Sequence, residues 1–486
     1  MTPLRLRLRL LSLRLFSLLS PPAWWLWWRR LSPPALIVTS FAALIAVGTA
    51  GLMWIPGLQA GPPLSFLDAL FTMTSAVCVT GLIVVDTATH FTRSGQLWLL
   101  VFIQLGGLGV ITLTTMLIGA LGRRLSLRTE TIAMPLVSSA DTDLGKLAVA
   151  VGKFTLAAEA AGALALFLLW LPRFDVADAA WHAVFHAVSA FCNAGFSTFS
   201  DSLVGFADSP LTLLVVSALV VAGGIGFLSV WELRHWWRGR RALAPSLRTR
   251  VRGPRLSSHT ATVVVTTAVL LGVGWIAFTV FEWNNVLADM SVVDKLANGL
   301  FMAVTPRTAG FNSISYAQVG NDTAMLTIVL MFIGGSPGST AGGTKTTTIA
   351  VLIALAWSRM RGRRYVELRG RGIPQGTIDR TVSLLLMAMT VITAALLLLN
   401  FIRAAHIPPA KARGEFLAIV FEATSAFGTV GLSMDLTASL WSTARVILIC
   451  LMFIGRVGLL SFFSALTLRS RLPSRVRPAH EDLLIG

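Results

Sequence analysis

The sequence predicts an all-α integral membrane protein in which four tandem repeats stand in pseudo-fourfold arrangement around one central pore, each repeat a helix, a re-entrant pore helix and a second helix. Three observations carry this expectation. Of 486 residues, 55% are hydrophobic and only 13% charged, with a mean hydropathy of +0.74, so a compact soluble fold could not hide its apolar surface. Spanning apolar runs alternate with apolar segments of about a dozen residues, too short for a hydrocarbon core of about 30 Å. Each short segment closes on a glycine, and Gly81, Gly195, Gly310 and Gly431 are 114, 115 and 121 residues apart, the mark of an internal repeat.

The spanning runs fall in pairs near 36–56 and 96–121, 147–171 and 210–233, 258–281 and 322–357, and 380–402 and 442–467. Between the members of each pair lie the short segments near 65–77, 179–191, 293–305 and 414–427. Irregular backbone at membrane depth is tolerated only where protein buries it or where it lines a watery cavity, so the short segments should line a pore. This gives a basic, Trp-rich segment at 1–34, repeats over 35–125, 126–240, 241–365 and 366–470, and a tail at 471–486. The first segment alternates Arg and Leu before Trp24, Trp25, Trp27 and Trp28; the arginines interrupt any signal-peptide core, leaving an interfacial anchor or a poorly ordered tail.

The formal charge of +18 would suggest a nucleic-acid partner in a soluble protein, but here topology accounts for it. Thirty of the 40 Lys and Arg lie at the two termini or in the connections near 122–153, 234–255 and 358–380. The positive-inside rule makes those segments cytoplasmic, puts both termini inside, and has the re-entrant loops enter from outside. Lipid is therefore the expected surrounding and nucleic acid is not a partner. Cys78, Cys192 and Cys450 show no C-x-x-C spacing and imply neither a disulfide framework nor a transition-metal site.

The loops closing the short segments are Val79-Thr80-Gly81, Asn193-Ala194-Gly195, Thr308-Ala309-Gly310 and Thr429-Val430-Gly431. Glycine supplies conformations that let a loop turn its carbonyls toward an ion, and four such loops make a ring of oxygens able to replace a cation's hydration shell. Re-entrant helices add the partly negative ends of their dipoles. The second helices carry further glycines: Gly106, Gly107 and Gly109; Gly223, Gly224 and Gly226; Gly455 and Gly458. These read mainly as close packing contacts, with a hinge role as the minor alternative. The third repeat differs. Gly334-Gly335-Ser336-Pro337-Gly338-Ser339-Thr340-Ala341-Gly342-Gly343-Thr344-Lys345 holds too many breakers for a continuous helix and is expected to form an irregular obstruction beneath the ring. Gly338 and Gly343 have phosphate-loop spacing, but Thr344 stands where the lysine belongs and no strand precedes it.

Arg456 interrupts an apolar run, and a charge at that depth is functional by default. It either faces the cavity, repelling a passing cation, or pairs with Glu159, Glu422 or carbonyls of the broken helix. Lys345 either caps the helix break or answers a carboxylate. His182 and His186 lack a third metal ligand and read as packing behind the ring. Glu422 either attracts cations or, as favoured, hydrogen-bonds its loop. An intramembrane enzyme would need a convergent nucleophile and base, which no spacing supplies.

With these residues in place the sequence resembles the Trk/Ktr/HKT superfamily of potassium transporters, and within it the membrane subunit of the bacterial Ktr type. The stretches carrying the likeness are Ser75-Ala76-Val77-Cys78-Val79-Thr80-Gly81-Leu82-Ile83-Val84-Val85-Asp86, Thr305-Pro306-Arg307-Thr308-Ala309-Gly310-Phe311-Asn312 and Met452-Phe453-Ile454-Gly455-Arg456-Val457-Gly458. The first repeat begins near residue 35 without the extra helix pair of the Trk branch. The resemblance implies potassium uptake across the inner (cytoplasmic) membrane. It implies a selectivity filter at the four glycines, a gating loop at 334–345, and a share of the barrier at Arg456. It further implies a homodimer on a cytoplasmic ring of nucleotide-binding regulatory subunits, with sodium as a stimulating ion and no bound cofactor. The alternative is a sodium-conducting relative, whose mark would be serine in place of Gly81. Leu459 and Leu460 follow Gly458 where the family often has proline, and Asn193 breaks the chemical symmetry of the ring.

Overall fold

A computed structural model describes residues 33–109, 144–242, 256–404, 414–459 and 462. Residues 1–32, the connection at 122–143 and the tail at 471–486 lie outside the described residues. The first helices of the repeats are long and apolar: α1 (Pro33–Trp54), α4 (Leu144–Trp170), α8 (Ser258–Glu282) and α12 (Gln375–Ala404). By length and composition these four are able to cross a membrane. Their side chains are apolar nearly all round, as expected where one face meets lipid and the other meets protein.

The short helices are α2 (Phe66–Val77), α5 (Val176–Cys192), α9 (Val292–Val304) and α13 (Phe416–Gly428). Ser65 and Ser291 cap α2 and α9 by accepting from the backbone N–H of Asp68 and Asp294, and Asp68, Asp178 and Asp294 place negative charge in the first turns. Two of these acids join neighbouring repeats, since Arg93 pairs with Asp178 and Arg445 with Asp68. Beyond their first turns the short helices bury most of their small and aromatic residues, whereas Phe66 and Phe416 at the helix starts are exposed. Phe71, Met73 and Ala76 sit in one core shared mainly by repeats 4 and 1, while Phe301, Phe421 and Ala187 sit in another shared mainly by repeats 2 and 3.

The second helices are α3 (Arg93–Gly107), α6 (Pro210–Gly224), α10 (Asn321–Phe332) with α11 (Thr346–Met360), and α14 (Ser442–Val457). Here the structure corrects the sequence reading. The run at 210–233 is not one helix, because the chain turns by 101° after α6 and continues as α7 (Phe227–Ala242). The turn is made at Gly226, with φ +91°, and Gly109 and Gly458 take matching values of +75° and +87° where α3 and α14 end. The second helix is thus broken in repeat 2 as well as in repeat 3, and among the described residues α3 and α14 also end just before a glycine of positive φ. Packing was nonetheless a sound reading for their neighbours: a side chain on Gly106, Gly223 or Gly455 would collide with the carbonyls of Val77, Phe191 or Phe427 at the ends of the short helices. Beyond Gly458, Phe462 N–H donates to the Gly458 carbonyl at 2.9 Å, while Leu460 lies outside the described residues.

Candidate functional site

The four glycine loops meet in sequence order around one axis. A Cβ built on Gly81 would lie 2.6 Å from the Ala194 carbonyl oxygen, on Gly195 2.9 Å from that of Ala309, and on Gly310 2.5 Å from that of Val430. On Gly431 it would collide with the Thr80 carbonyl, which closes the ring. All four glycines have positive φ, from +70° to +95°. Glycine is therefore required twice over at each position, by backbone conformation and by the approach of the next loop.

Two residues earlier, Val79, Asn193, Thr308 and Thr429 also have positive φ, from +51° to +72°. Asparagine tolerates that region, whereas Val and Thr resist it at a cost of about 1–3 kcal/mol each. The backbone is therefore fourfold although the side chains are not, Asn193 remaining chemically distinct.

What holds this strained conformation is visible in the hydrogen bonds. Thr80, Ala194 and Val430 donate their N–H groups to the carbonyls of Ser75, Ser189 and Ser425 at 2.8, 2.7 and 2.9 Å, and Ala309 donates to Thr305 at 2.9 Å. The hydroxyls join in: Ser75 and Ser425 accept from the N–H of Gly81 and Gly431, while Ser189 and Thr305 donate to the carbonyls of Phe196 and Phe311. Sequence reasoning missed these four hydroxyls as a set; Ser75, Ser189 and Ser425 lie six residues before their glycines, whereas Thr305 lies five before Gly310, so spacing alone did not group them.

Nine of the twelve loop N–H groups are turned back onto the short helices. Among the described residues, no carbonyl of 79–81, 193–195, 308–310 or 429–431 accepts a hydrogen bond from the chain. Eleven of these twelve residues are buried, and buried carbonyls without a partner are costly. A ring of them, at the ends of four converging helix dipoles, suits a partly dehydrated monovalent cation.

Above the ring opens a vestibule of about 490 Å³, lined by all four glycines and by Asp86, Asp201 and Asp435, with no Lys or Arg in its wall. Behind it, His186 Nε2 lies 2.9 Å from Ser197 Oγ and His182 Nδ1 lies 2.6 Å from Thr198 Oγ1, the packing role expected. Glu422 accepts from Ser433 Oγ, from Met434 N–H at 3.2 Å and from Thr437 Oγ1 at 2.6 Å, so it fastens the loop after Gly431.

On the opposite side the segment Gly334–Lys345 links α10 to α11 and crosses toward repeats 2 and 4. Gly338 and Gly343 take positive φ. Ser336 N–H donates to the Gly224 carbonyl at 3.0 Å, Thr340 N–H to the Gly223 carbonyl at 3.3 Å, and Thr340 Oγ1 to the Phe191 carbonyl at 3.2 Å. A side chain on Gly342 would strike Thr429, so the loop passes directly beneath the ring. Gly335, Pro337, Ser339, Ala341 and Thr344 complete it, with Ile333 and Thr344 bridged across its neck.

Both open questions about charge are answered. Arg456 donates to the carbonyls of Thr340 and Gly106, holding the loop against repeat 1 rather than pairing with a carboxylate. Glu159 accepts instead from Gln104 Nε2 at 3.1 Å. Lys345 Nζ donates to the carbonyls of Ala341 and Gly342 at 2.7 and 3.2 Å, which makes it the cap of the break. Arg456 and Lys345 border a cavity of about 270 Å³ between the loop and repeats 1, 2 and 4. Arg307 is a further buried cation, at 3.4 Å from the Gly334 carbonyl, linking the third glycine loop to the start of the segment. Sequence reasoning assigned it no role.

Four helix pairs around a carbonyl ring, with a vestibule above and an irregular segment below, define a membrane transport protein of the pore type. The comparisons agree. The profile of the TrkH cation transport protein family matches residues 15–476, and the chain belongs to that family. It is 36% identical to the Potassium/sodium uptake protein NtpJ of Enterococcus hirae, covering 94% of this chain and 98% of that protein. Against the Ktr system potassium uptake protein B of Vibrio alginolyticus it is 34% identical, covering 93% and 95%. The crystal structure of the potassium transporter TrkH from Vibrio parahaemolyticus superposes with a TM-score of 0.67 at 19% identity, covering 90% of this chain and 84% of that one, and shares the fold. The protein is a cation transporter, not an enzyme.

Proposed function

We propose that the chain is the pore-forming subunit of a potassium uptake system in the bacterial inner membrane. Potassium enters through the vestibule, sheds water onto the carbonyls of residues 79–81, 193–195, 308–310 and 429–431, and is drawn inward by the membrane potential. The observation that carries this is the closed ring of unpartnered carbonyls. The repeats at 35–125, 126–240, 241–365 and 366–470 each supply one quarter of it. The segment 334–345, tied by Arg456, is the gate, and a cytoplasmic ring of nucleotide-binding subunits on a homodimer of this chain moves it. The vestibule is outermost and both termini are cytoplasmic, as the basic connections support. Sodium is proposed as a stimulating ion; the name of one relative, a potassium/sodium uptake protein, keeps sodium conduction as the alternative. Gly81 argues against sodium as the main conducted ion.

The test is uptake of labelled rubidium and labelled sodium into proteoliposomes under an inside-negative potential, with the purified chain alone. Rubidium entry blocked by excess potassium is the expected result. Sodium entry of equal size would refute potassium selectivity, and flux of neither ion would mean that the cytoplasmic partner is obligatory.

The missed hydroxyls give a second prediction. Ser425→Ala leaves the Gly431 N–H without its side-chain acceptor, a loss of about 1–3 kcal/mol in a buried site. Potassium preference over sodium should fall several-fold in the same assay, and Ser425→Thr should restore much of it. Unchanged selectivity in Ser425→Ala would show that the hydroxyl does not hold the ring.

A further inference from the structure

The helix that leaves the second-repeat turn has no part in the ring. α7 presents Trp231, Arg234, His235 and Arg238, spaced i, i+3, i+4 and i+7, as one exposed stripe. Trp231 is 45% exposed, and its ring lies 4.1 Å from that of His235. The other side of the helix is anchored. Ser229 is buried, and Glu232 accepts from Ser257 N–H, from Ser257 Oγ at 2.7 Å and from Thr260 Oγ1 at the start of α8. The chain turns by 101° between α6 and α7; with α6 taken as the membrane-crossing part of the second repeat and the basic connections as cytoplasmic, that turn would lay α7 close to the membrane plane on the cytoplasmic side. Residues 234–255 of the chain carry eight Lys and Arg and no Asp or Glu. A tryptophan beside arginines on an in-plane helix is the chemistry of a headgroup layer, and the positive charge selects anionic lipid.

The same helix is wired to the gate. Phe227 N–H donates to the Gly338 carbonyl at 3.3 Å, beside the two bonds that Gly223 and Gly224 accept from Thr340 and Ser336. A side chain on Gly226 would lie 2.7 Å from the Pro337 carbonyl oxygen, so the turn and the loop share one close-packed joint. A tilt of α7 therefore displaces the middle of the 334–345 segment.

We infer that α7 is a lipid-sensing lever: its Trp231, Arg234 and Arg238 face binds anionic phospholipid headgroups of the cytoplasmic leaflet, and the joint at 223–227 passes that binding to the gate. The coupling half of this inference rests on the gating reading of 334–345; the binding half does not.

The test uses the full chain in nanodiscs and proteoliposomes of pure phosphatidylcholine or with about a third phosphatidylglycerol, comparing wild type with Arg234→Gln/Arg238→Gln. Amide exchange over 229–238 reads binding. Protection should rise with phosphatidylglycerol in the wild type, and the double variant should lose it, two arginines being worth about 30-fold in headgroup binding. Rubidium flux reads coupling, and phosphatidylglycerol should change it by about fivefold or more, the lower end of ordinary allosteric coupling, in the wild type only. Equal protection in both lipids overturns the inference. Protection without a flux change overturns the lever, as does a flux response that the double variant retains. A double variant that responds normally to lipid but not to added cytoplasmic subunits would make those subunits the occupant and also overturn it. If neither protein conducts in any lipid, and opening the gate at Arg456 does not restore conduction, the transport reading fails while the exchange experiment still decides binding.

Discussion

Gly310→Ser is expected to lower the preference for potassium over sodium by about tenfold or more. The position asks for φ +79°, which a side-chain-bearing residue adopts at a cost of about 1–3 kcal/mol, and every 1.4 kcal/mol is about a factor of ten. Space is the harder constraint. A Cβ there would sit 2.5 Å from the Val430 carbonyl oxygen, 3.0 Å from Gly195 Cα and 3.2 Å from Gly431 Cα, and all three are backbone atoms that cannot swing aside. The Val430 carbonyl must move, and it belongs to the ring proposed to replace the ion's water. Because each loop leans on the next, displacement of one passes around the ring.

Gly57→Ala supplies the control. Gly57 has φ +81° with nothing near its missing Cβ, so it carries a comparable backbone cost away from the ring. Competition of potassium and sodium against rubidium uptake separates the two. A Gly310→Ser protein that keeps wild-type selectivity, or a Gly57→Ala protein that loses it, would remove the ring from the explanation.

The glycine ring was legible in the sequence because its constraint is local and repeated: one residue type, at one offset from a short apolar helix, four times. The turn at Gly226 was not legible on the same grounds. Gly223 and Gly226 are three residues apart in one apolar run, yet one is small to admit the Phe191 carbonyl and the other to take φ +91°. Composition does not distinguish those needs, and only the five glycines and Pro337 of 334–345 in the third repeat raised the breaker density enough to reveal a break. Ser75, Ser189, Thr305 and Ser425 were hidden for a related reason, since a hydroxyl inside an apolar helix ordinarily bonds its own preceding turn. Their role depends on where the chain goes after the helix ends. The partners of Arg456 were beyond reach of the sequence, because Gly106 and Thr340 lie 350 and 116 residues away.

Those partners make Arg456→Ala the second large effect, an increase in flux through the chain without its cytoplasmic subunits. Two contributions are combined in the side chain. As a charge, a cation about 8 Å from a passing ion, at an effective dielectric of about 20, raises the barrier by roughly 2 kcal/mol, about 30-fold in rate. As a tether, it joins the Thr340 carbonyl of the loop to the Gly106 carbonyl at the end of α3, so its removal leaves the loop held mainly by repeat 2.

Arg456→Lys separates the two contributions, since lysine keeps the charge but cannot present two nitrogens in the same planar fork. If the tether dominates, Arg456→Lys should conduct nearly as well as Arg456→Ala; if charge dominates, it should stay near wild type. A loop shortened between Ser336 and Gly343 should conduct like the tether-free variants, because it can no longer reach beneath Thr429. Flux that remains fully dependent on the cytoplasmic subunits in Arg456→Ala and in the shortened-loop protein would place the gate elsewhere, and the crossing of 334–345 under the ring would then be architecture alone.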